Sequence, residues 1–205
     1  DGLPAFDAIH PDHVAPAIDA LLAQASAALE SAVGPDVAAD YDAMSAVLDV
    51  ATERLSRAWG AVSHLNAVAD TPALRAAYND NLPKVTEFHT RLGADERLYA
   101  KYKAIAASPA AANLSAPPRK ALANALRDFV LSGAELGGEA KIRFAAIQER
   151  AAELEQQYRE HVLDATDGFS CLARTDELDG VPADVQQATR EAAQVDGLEG
   201  HKLSL

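Results

Sequence analysis

Residues Met44 to Ala69 read MSAVLDVATERLSRAWGAVSHLNAVA. Apolar or small side chains recur at Met44, Leu48, Ala51, Leu55, Ala58, Val62, Leu65 and Ala69, in steps that alternate between four and three. On an α-helix this spacing keeps one stripe turned toward a neighbour. The polar side supports itself, because Glu53 stands one turn ahead of Arg57, the favourable order for such a pair. The spacing predicts a long helix packed in a bundle or a supercoiled pair, not a catalytic element.

Trp59, Ser63 and Asn66 lie on a second stripe, along one flank of the same helix. The plain expectation for them is a tryptophan at the edge of a core and a capped or solvated asparagine. Gly60 interrupts the helix interior at a cost of about 1 kcal/mol against alanine. Close approach of a second backbone is one reason to expect a glycine there.

Ahead of this helix, LPAFDAIHPDHVAPAIDALLAQASAALESAV (Leu3 to Val33) reads as an extended arm, a short turn and a helix. Pro16 would break a helix interior, so the helix is expected from about Ala15. Val14, Ile18, Leu21, Leu22, Ala25 and Leu29 give its buried face, and Gly34-Pro35 ends it. Asp40 and Asp42 are candidate caps for the central helix.

Downstream, Thr71-Pro72 pairs a capping threonine with a proline suited to the first helical position. The helix it opens is expected to reach about Leu92, kinked or split by Pro83. Asp95 starts a short helix and Ser115 another, the latter with Leu122, Leu126 and Phe129 on one face. From Glu139 to about Asp164, Phe144, Ile147, Ala151, Leu154, Tyr158 and Val162 repeat the three-four spacing. After Gly168 the pattern changes. FSCLAR (Phe169 to Arg174) and HKLSL (His201 to Leu205) read as strands around a helix from about Pro182 to Gln194.

The expected fold is therefore mainly α: a multi-helix bundle with long helices, plus a short strand-containing C-terminal segment. Residues 1–167 form the expected helical domain and 168–205 a strand-helix-strand segment. A strand that runs to Leu205 without a turn signal gives the expectation of truncation. Phe169, Leu172, Leu203 and Leu205 are then expected to be partly uncovered.

With 205 residues, 49% apolar content and 24% charged content, the chain falls in the ordinary globular range. Its net charge of −13 and lack of a basic run argue against a nucleic-acid partner. The one cysteine, Cys171, excludes an internal disulfide and fits a reducing compartment. No apolar run reaches the ~20 residues of a membrane span, so no membrane partner is expected and a cytoplasmic location is the default.

The chemistry-bearing residues name no reaction. His-Glu-x-x-His, the helical zinc motif, is absent. His10 and His13, with Asp7 and Asp12, are spaced for a metal only weakly, since Pro11 falls between the histidines. His161 and Asp164 sit one turn apart near a helix end, where a histidine also suits the dipole. Cys171 is expected as a small buried strand residue and not a nucleophile. No catalytic or metal residue is assigned.

The segment ERLSRAWGAVSHLNAVADTPALRAAYN (Glu53 to Asn79) resembles the oligopeptidase A branch of the thimet-oligopeptidase family of zinc metallopeptidases. LPAFDAIHPDHVAPAI (Leu3 to Ile18), NALRDFVLSGAEL (Asn124 to Leu136), YREHVLDATDGFSCLARTDELDGVP (Tyr158 to Pro182) and LEGHKLSL (Leu198 to Leu205) follow the family's order. The resemblance implies a helical N-terminal domain forming one wall of a deep channel that admits only short, unfolded peptides. It also implies a soluble, cytosolic enzyme that degrades peptide fragments, including cleaved signal peptides.

The zinc helix of that family lies in its C-terminal half, so zinc belongs to the parent enzyme. These 205 residues carry no cofactor and are expected to be inactive alone. The partners implied are short peptides and the protein's own C-terminal catalytic domain. Trp59, Ser63 and Asn66 become candidates for the channel wall. A second possibility of a different class is a free-standing helical interaction protein without catalysis.

Overall fold

The structure, a computed structural model, describes residues 4–204; Leu205 and its expected exposure fall outside them. Seven α-helices and a two-stranded sheet make up the described chain, and the mainly helical expectation holds. The helices are α1 (Pro11–Val33), α2 (Tyr41–Val68), α3 (Pro72–Gly93), α4 (Glu96–Ala107), α5 (Ala116–Leu131), α6 (Gly138–Gly168) and α7 (Ala183–Val195). The strands are β1 (Ser170–Ala173) and β2 (His201–Ser204). The chain packs as two compact units, Asp1–Glu153 and Leu154–Leu205, and α6 contributes to both.

In the first unit, α2 takes part in two cores at once. Met44 and Leu48 enter a cluster with Leu29 of α1, Leu98 and Ile105 of α4, and Leu122 and Phe129 of α5. Two to four turns on, Leu55 and Val62 enter a second cluster with Val14 and Ile18 of α1 and Tyr78, Val85 and Phe88 of α3. The four-three spacing is what lets one helix serve both. Asp40 caps α2 by accepting from the Ala43 N–H at 3.1 Å, while Asp42 sits in the first turn. Glu53 and Arg57 form the expected exposed pair at 2.7 Å.

Two prolines are accommodated where the sequence suggested breaks. The helix α1 begins at Pro11, not near Ala15, and runs unbroken through Pro16. Likewise α3 is one helix through Pro83, not two. Both prolines are exposed, so the i→i−4 hydrogen bond that each forgoes lies on the side open to water. Val14 and Ile18, flanking Pro16, are 2% and 0% exposed, and Val85 beside Pro83 is 3%. Burial of such side chains gains roughly 1.5–3 kcal/mol each, enough to offset the ~3 kcal/mol of an interior proline.

The opening arm is not wholly extended either: Phe6–Ala8 form a 3-10 turn, and Phe6 packs on His64 of α2 with ring centroids 5.2 Å apart. Gly60 differs from expectation as well. A Cβ there would meet nothing within 4 Å, so no backbone approaches it.

The loop from α1 to α2 is held by Lys101 of α4. Its ammonium donates to the carbonyls of Ala32 at 2.7 Å, Gly34 at 2.6 Å and Val37 at 2.5 Å. Asp95 caps α4, accepting from the N–H groups of Arg97 at 2.9 Å and Leu98 at 3.1 Å. Asn81, fully buried in α3, donates to the Ala77 carbonyl at 2.8 Å and accepts from Lys84 at 3.1 Å. Lys84 also reaches Asp19 of α1 at 2.7 Å.

Helix α6 runs to Gly168, one turn past the expected end. Its apolar stripe is mostly uncovered: Phe144 and Ala151 are half-buried, but Ile147, Leu154, Tyr158 and Val162 are 52%, 46%, 71% and 48% exposed. The better-covered line passes instead through Ala145, Gln148, Ala152 and Gln156. A periodic stripe shows which face is apolar, but not whether any neighbour covers it.

In the second unit, β1 and β2 pair antiparallel, Cys171 opposite Leu203 and Ala173 opposite His201. Gly200 has φ +104°, and a Cβ on it would lie 2.8 Å from the Ala173 carbonyl, so the strand entry needs glycine twice over. Cys171 is exposed and not the buried strand residue expected, because two strands give its face no cover. Phe169 and Leu172 are 46% and 51% exposed, and Leu203 is half-buried.

Fully buried His201 ties this unit together. Its Nδ1 lies 3.1 Å from Thr189 Oγ1 and its Nε2 3.3 Å from Thr175 Oγ1. Thr189 spends its hydroxyl proton on the carbonyls of Val185 or Gln186. It must therefore accept from Nδ1–H.

Candidate functional site

Trp59, Ser63 and Asn66 are all half-buried on α2. Trp59 stacks on Tyr78 of α3, centroids 4.5 Å apart and planes 14° from parallel. Tyr78 is itself only 4% exposed, so the indole rests on the edge of the core shared by α1, α2 and α3.

Asn66 takes part in a different arrangement. Its Nδ2 donates to Asp70 Oδ1 at 3.0 Å. The other carboxylate oxygen accepts from Arg75 through Nε at 2.8 Å and Nη2 at 2.6 Å. This chain closes the corner between α2 and α3, where Thr71 caps α3 by accepting from the Leu74 N–H at 3.2 Å. The Asp70 side chain is 12% exposed and that of Arg75 27%, so the pair is shielded from water. Asp70 and Arg75 were not singled out from the sequence, whereas Tyr78 falls on the apolar stripe of α3 and is buried there. The spacing of Asn66 and Asp70, one turn apart at a helix end, was the signal available.

The flank offers an indole, a hydroxyl and an amide, groups that position a ligand without bond chemistry. The histidine candidates do not join it. His13 Nδ1 accepts the His10 backbone N–H at 3.3 Å, and the two rings meet edge-on at 5.1 Å. That contact occupies a lone pair a metal would need. Among the described residues, no three His, Cys, Asp or Glu side chains converge to hold a metal ion, and the residues present do not fit zinc. His161 is exposed on α6.

Residues 18–141 match the neurolysin/thimet oligopeptidase N-terminal domain family, and the chain belongs to that family. It is 38% identical over 204 residues to oligopeptidase A of Salmonella typhimurium, covering 99% of this chain. It is 36% identical over 201 residues to the probable cytosolic oligopeptidase A of Arabidopsis thaliana, covering 96% of this chain. The organellar oligopeptidase A of the same plant, chloroplastic or mitochondrial, is 35% identical over 198 residues. The chain spans 30%, 28% and 25% of the lengths of these three relatives. No helix among the described residues is long and apolar enough to cross a membrane.

Proposed function

We propose that this chain is the N-terminal, substrate-channel region of an oligopeptidase A-type zinc peptidase that degrades short peptides, cleaved signal peptides among them. The observation that carries this is identity of 38% along 99% of the chain to an oligopeptidase A of which it spans only 30%. Residues 1–167 act as the helical domain and 168–205 lead into the catalytic region. The zinc ligands and general base belong to that region, and this chain contributes no step of bond cleavage. The enzyme acts in the cytoplasm.

Trp59, Ser63 and Asn66 line the channel in this proposal and position the peptide. Trp59→Ala in the whole enzyme is expected to slow peptide turnover severalfold while the helical content of the 205-residue chain is unchanged. Unfolding of the chain on that substitution would make the stack on Tyr78 purely structural. The parent identity is tested by reading the gene downstream of codon 205. An in-frame His-Glu-x-x-His is expected; an immediate stop codon would leave a free-standing interaction domain.

A further inference from the structure

A pocket of about 270 Å³ opens between α2, α3, α4 and α5. Leu48, Leu98 and Phe129 supply its apolar lining, and Asp49, Asp128 and Tyr102 its polar atoms. Its wall is tightly built, since a Cβ on Gly93 would lie 2.8 Å from the Cβ of Ser132. Pockets for whole small molecules span roughly 300–1,000 Å³, so this one suits a single side chain.

We propose that this pocket binds a cation carried on an apolar stem, the chemistry of a lysine or arginine side chain. No lysine or arginine lines it. Asp128 is paired with neighbouring Arg127 at 2.8 Å, in a contact more than half exposed on both sides. Such pairs are worth only ~0–1 kcal/mol and leave the carboxylate able to exchange partners. Among the described residues, Asp49 accepts only a neutral hydroxyl, from Ser45. The Tyr102 ring is held by Phe129, centroids 5.3 Å apart, and no group among the described residues hydrogen-bonds its hydroxyl, which is left to accept from a ligand.

Two titratable groups in the wall stay neutral near pH 7 and so do not offset the carboxylates. His89 is exposed as a whole residue, but its ring lines the pocket, where burial lowers its pKa. Burial, then the charges of Asp49 and Tyr41, push the Tyr102 phenol up to about 12. An open groove along α2 shares Asp49 and Thr52 with the pocket and adds Asp42 and Glu53. A cation approaching the chain, whose net charge is −13, is drawn toward this side. The apolar lining disfavours a bare hydrated ion, which would lose its water for nothing, and favours a stem with the charge at its tip.

This inference stands apart from the peptidase reading and is tested on the chain itself. N-acetyl-lysine methylamide is titrated into isotope-labelled protein and followed by NMR, with the norleucine equivalent as the uncharged control. Saturable shifts at Leu98, Ala125 and Phe129 are expected, with a dissociation constant on the order of 1 mM. Asp49→Asn should weaken binding about three- to fivefold, and Ala125→Met, which fills the pocket, should abolish it with circular dichroism unchanged. Butylammonium separates the sources: tighter binding of the capped amino acid assigns the site to peptides, equal binding to any alkyl cation, and both support it. Equal affinity for the norleucine compound, or no effect of Asp49→Asn, would overturn the proposal.

Discussion

Lys101 brings one positive charge to three carbonyls at the C-terminal end of α1 and in the loop beyond it. The exposed ends of a helix carry partial negative charge there, and the ammonium satisfies groups that would otherwise need water. Lys101→Met keeps the stem and removes the charge. It should lower unfolding free energy by about 2 kcal/mol, the scale of hydrogen bonds to an ion, read from a denaturant midpoint. Gly60 is the opposite case. It is exposed in mid-helix with open space around it, so Gly60→Ala should stabilise by up to ~1 kcal/mol and raise the melting temperature by a few degrees.

Asp95 makes a pH-dependent contribution at the same scale. Burial alone would raise its pKa, but hydrogen bonds from the Arg97 guanidinium and from the N–H groups of Leu98 and Arg97 outweigh it and hold it low. A carboxyl whose folded pKa lies below its unfolded value stabilises the fold above the unfolded value, near 3.8. That contribution is lost as pH falls through the folded value. Asp95→Asn retains a capping side chain but not the charge. Acid titration should therefore show wild type losing stability below about pH 4 more steeply than the variant.

At the scale of elements, α2 and α6 share a period and differ in outcome. Both repeat apolar side chains every three or four residues, yet the α2 stripe is largely covered and most of the α6 stripe is not. Polar substitution at Ile147 or Val162 should therefore change stability by no more than about 0.5 kcal/mol, whereas Leu55→Ala, at 0% exposure, should cost about 2–5 kcal/mol. The strands are the weaker elements. Two-stranded pairings are marginal in water, and β1 has three of its four residues exposed. Hydrogen exchange is expected to be slow from Met44 to Val68 and faster after Gly168. Protection as strong at Cys171 and Leu203 as at Leu55 would contradict this.

At the scale of the whole molecule, local pattern determined most of the helices. The α2 stripe, the threonine cap at Thr71, the aspartate cap at Asp95 and the change of period after Gly168 all rest on near neighbours, which a sequence displays directly. Where the sequence misled, the deciding contact was remote. The prolines at 16 and 83 are tolerated because their side of the helix meets water and the opposite side is buried. Gly60 is not needed for close approach, since nothing comes near it, and Cys171 is exposed because the described residues form a sheet of two strands. Asn66, on the candidate flank, was visible, but its partners Asp70 and Arg75 and the stack of Trp59 on Tyr78 were not. They arise only when α3 folds back on α2. By itself the sequence determined which faces are apolar and where most helices start, α1 excepted, because helix period and capping are local. Only the tertiary structure decided which of those faces are buried, because burial depends on what stands opposite.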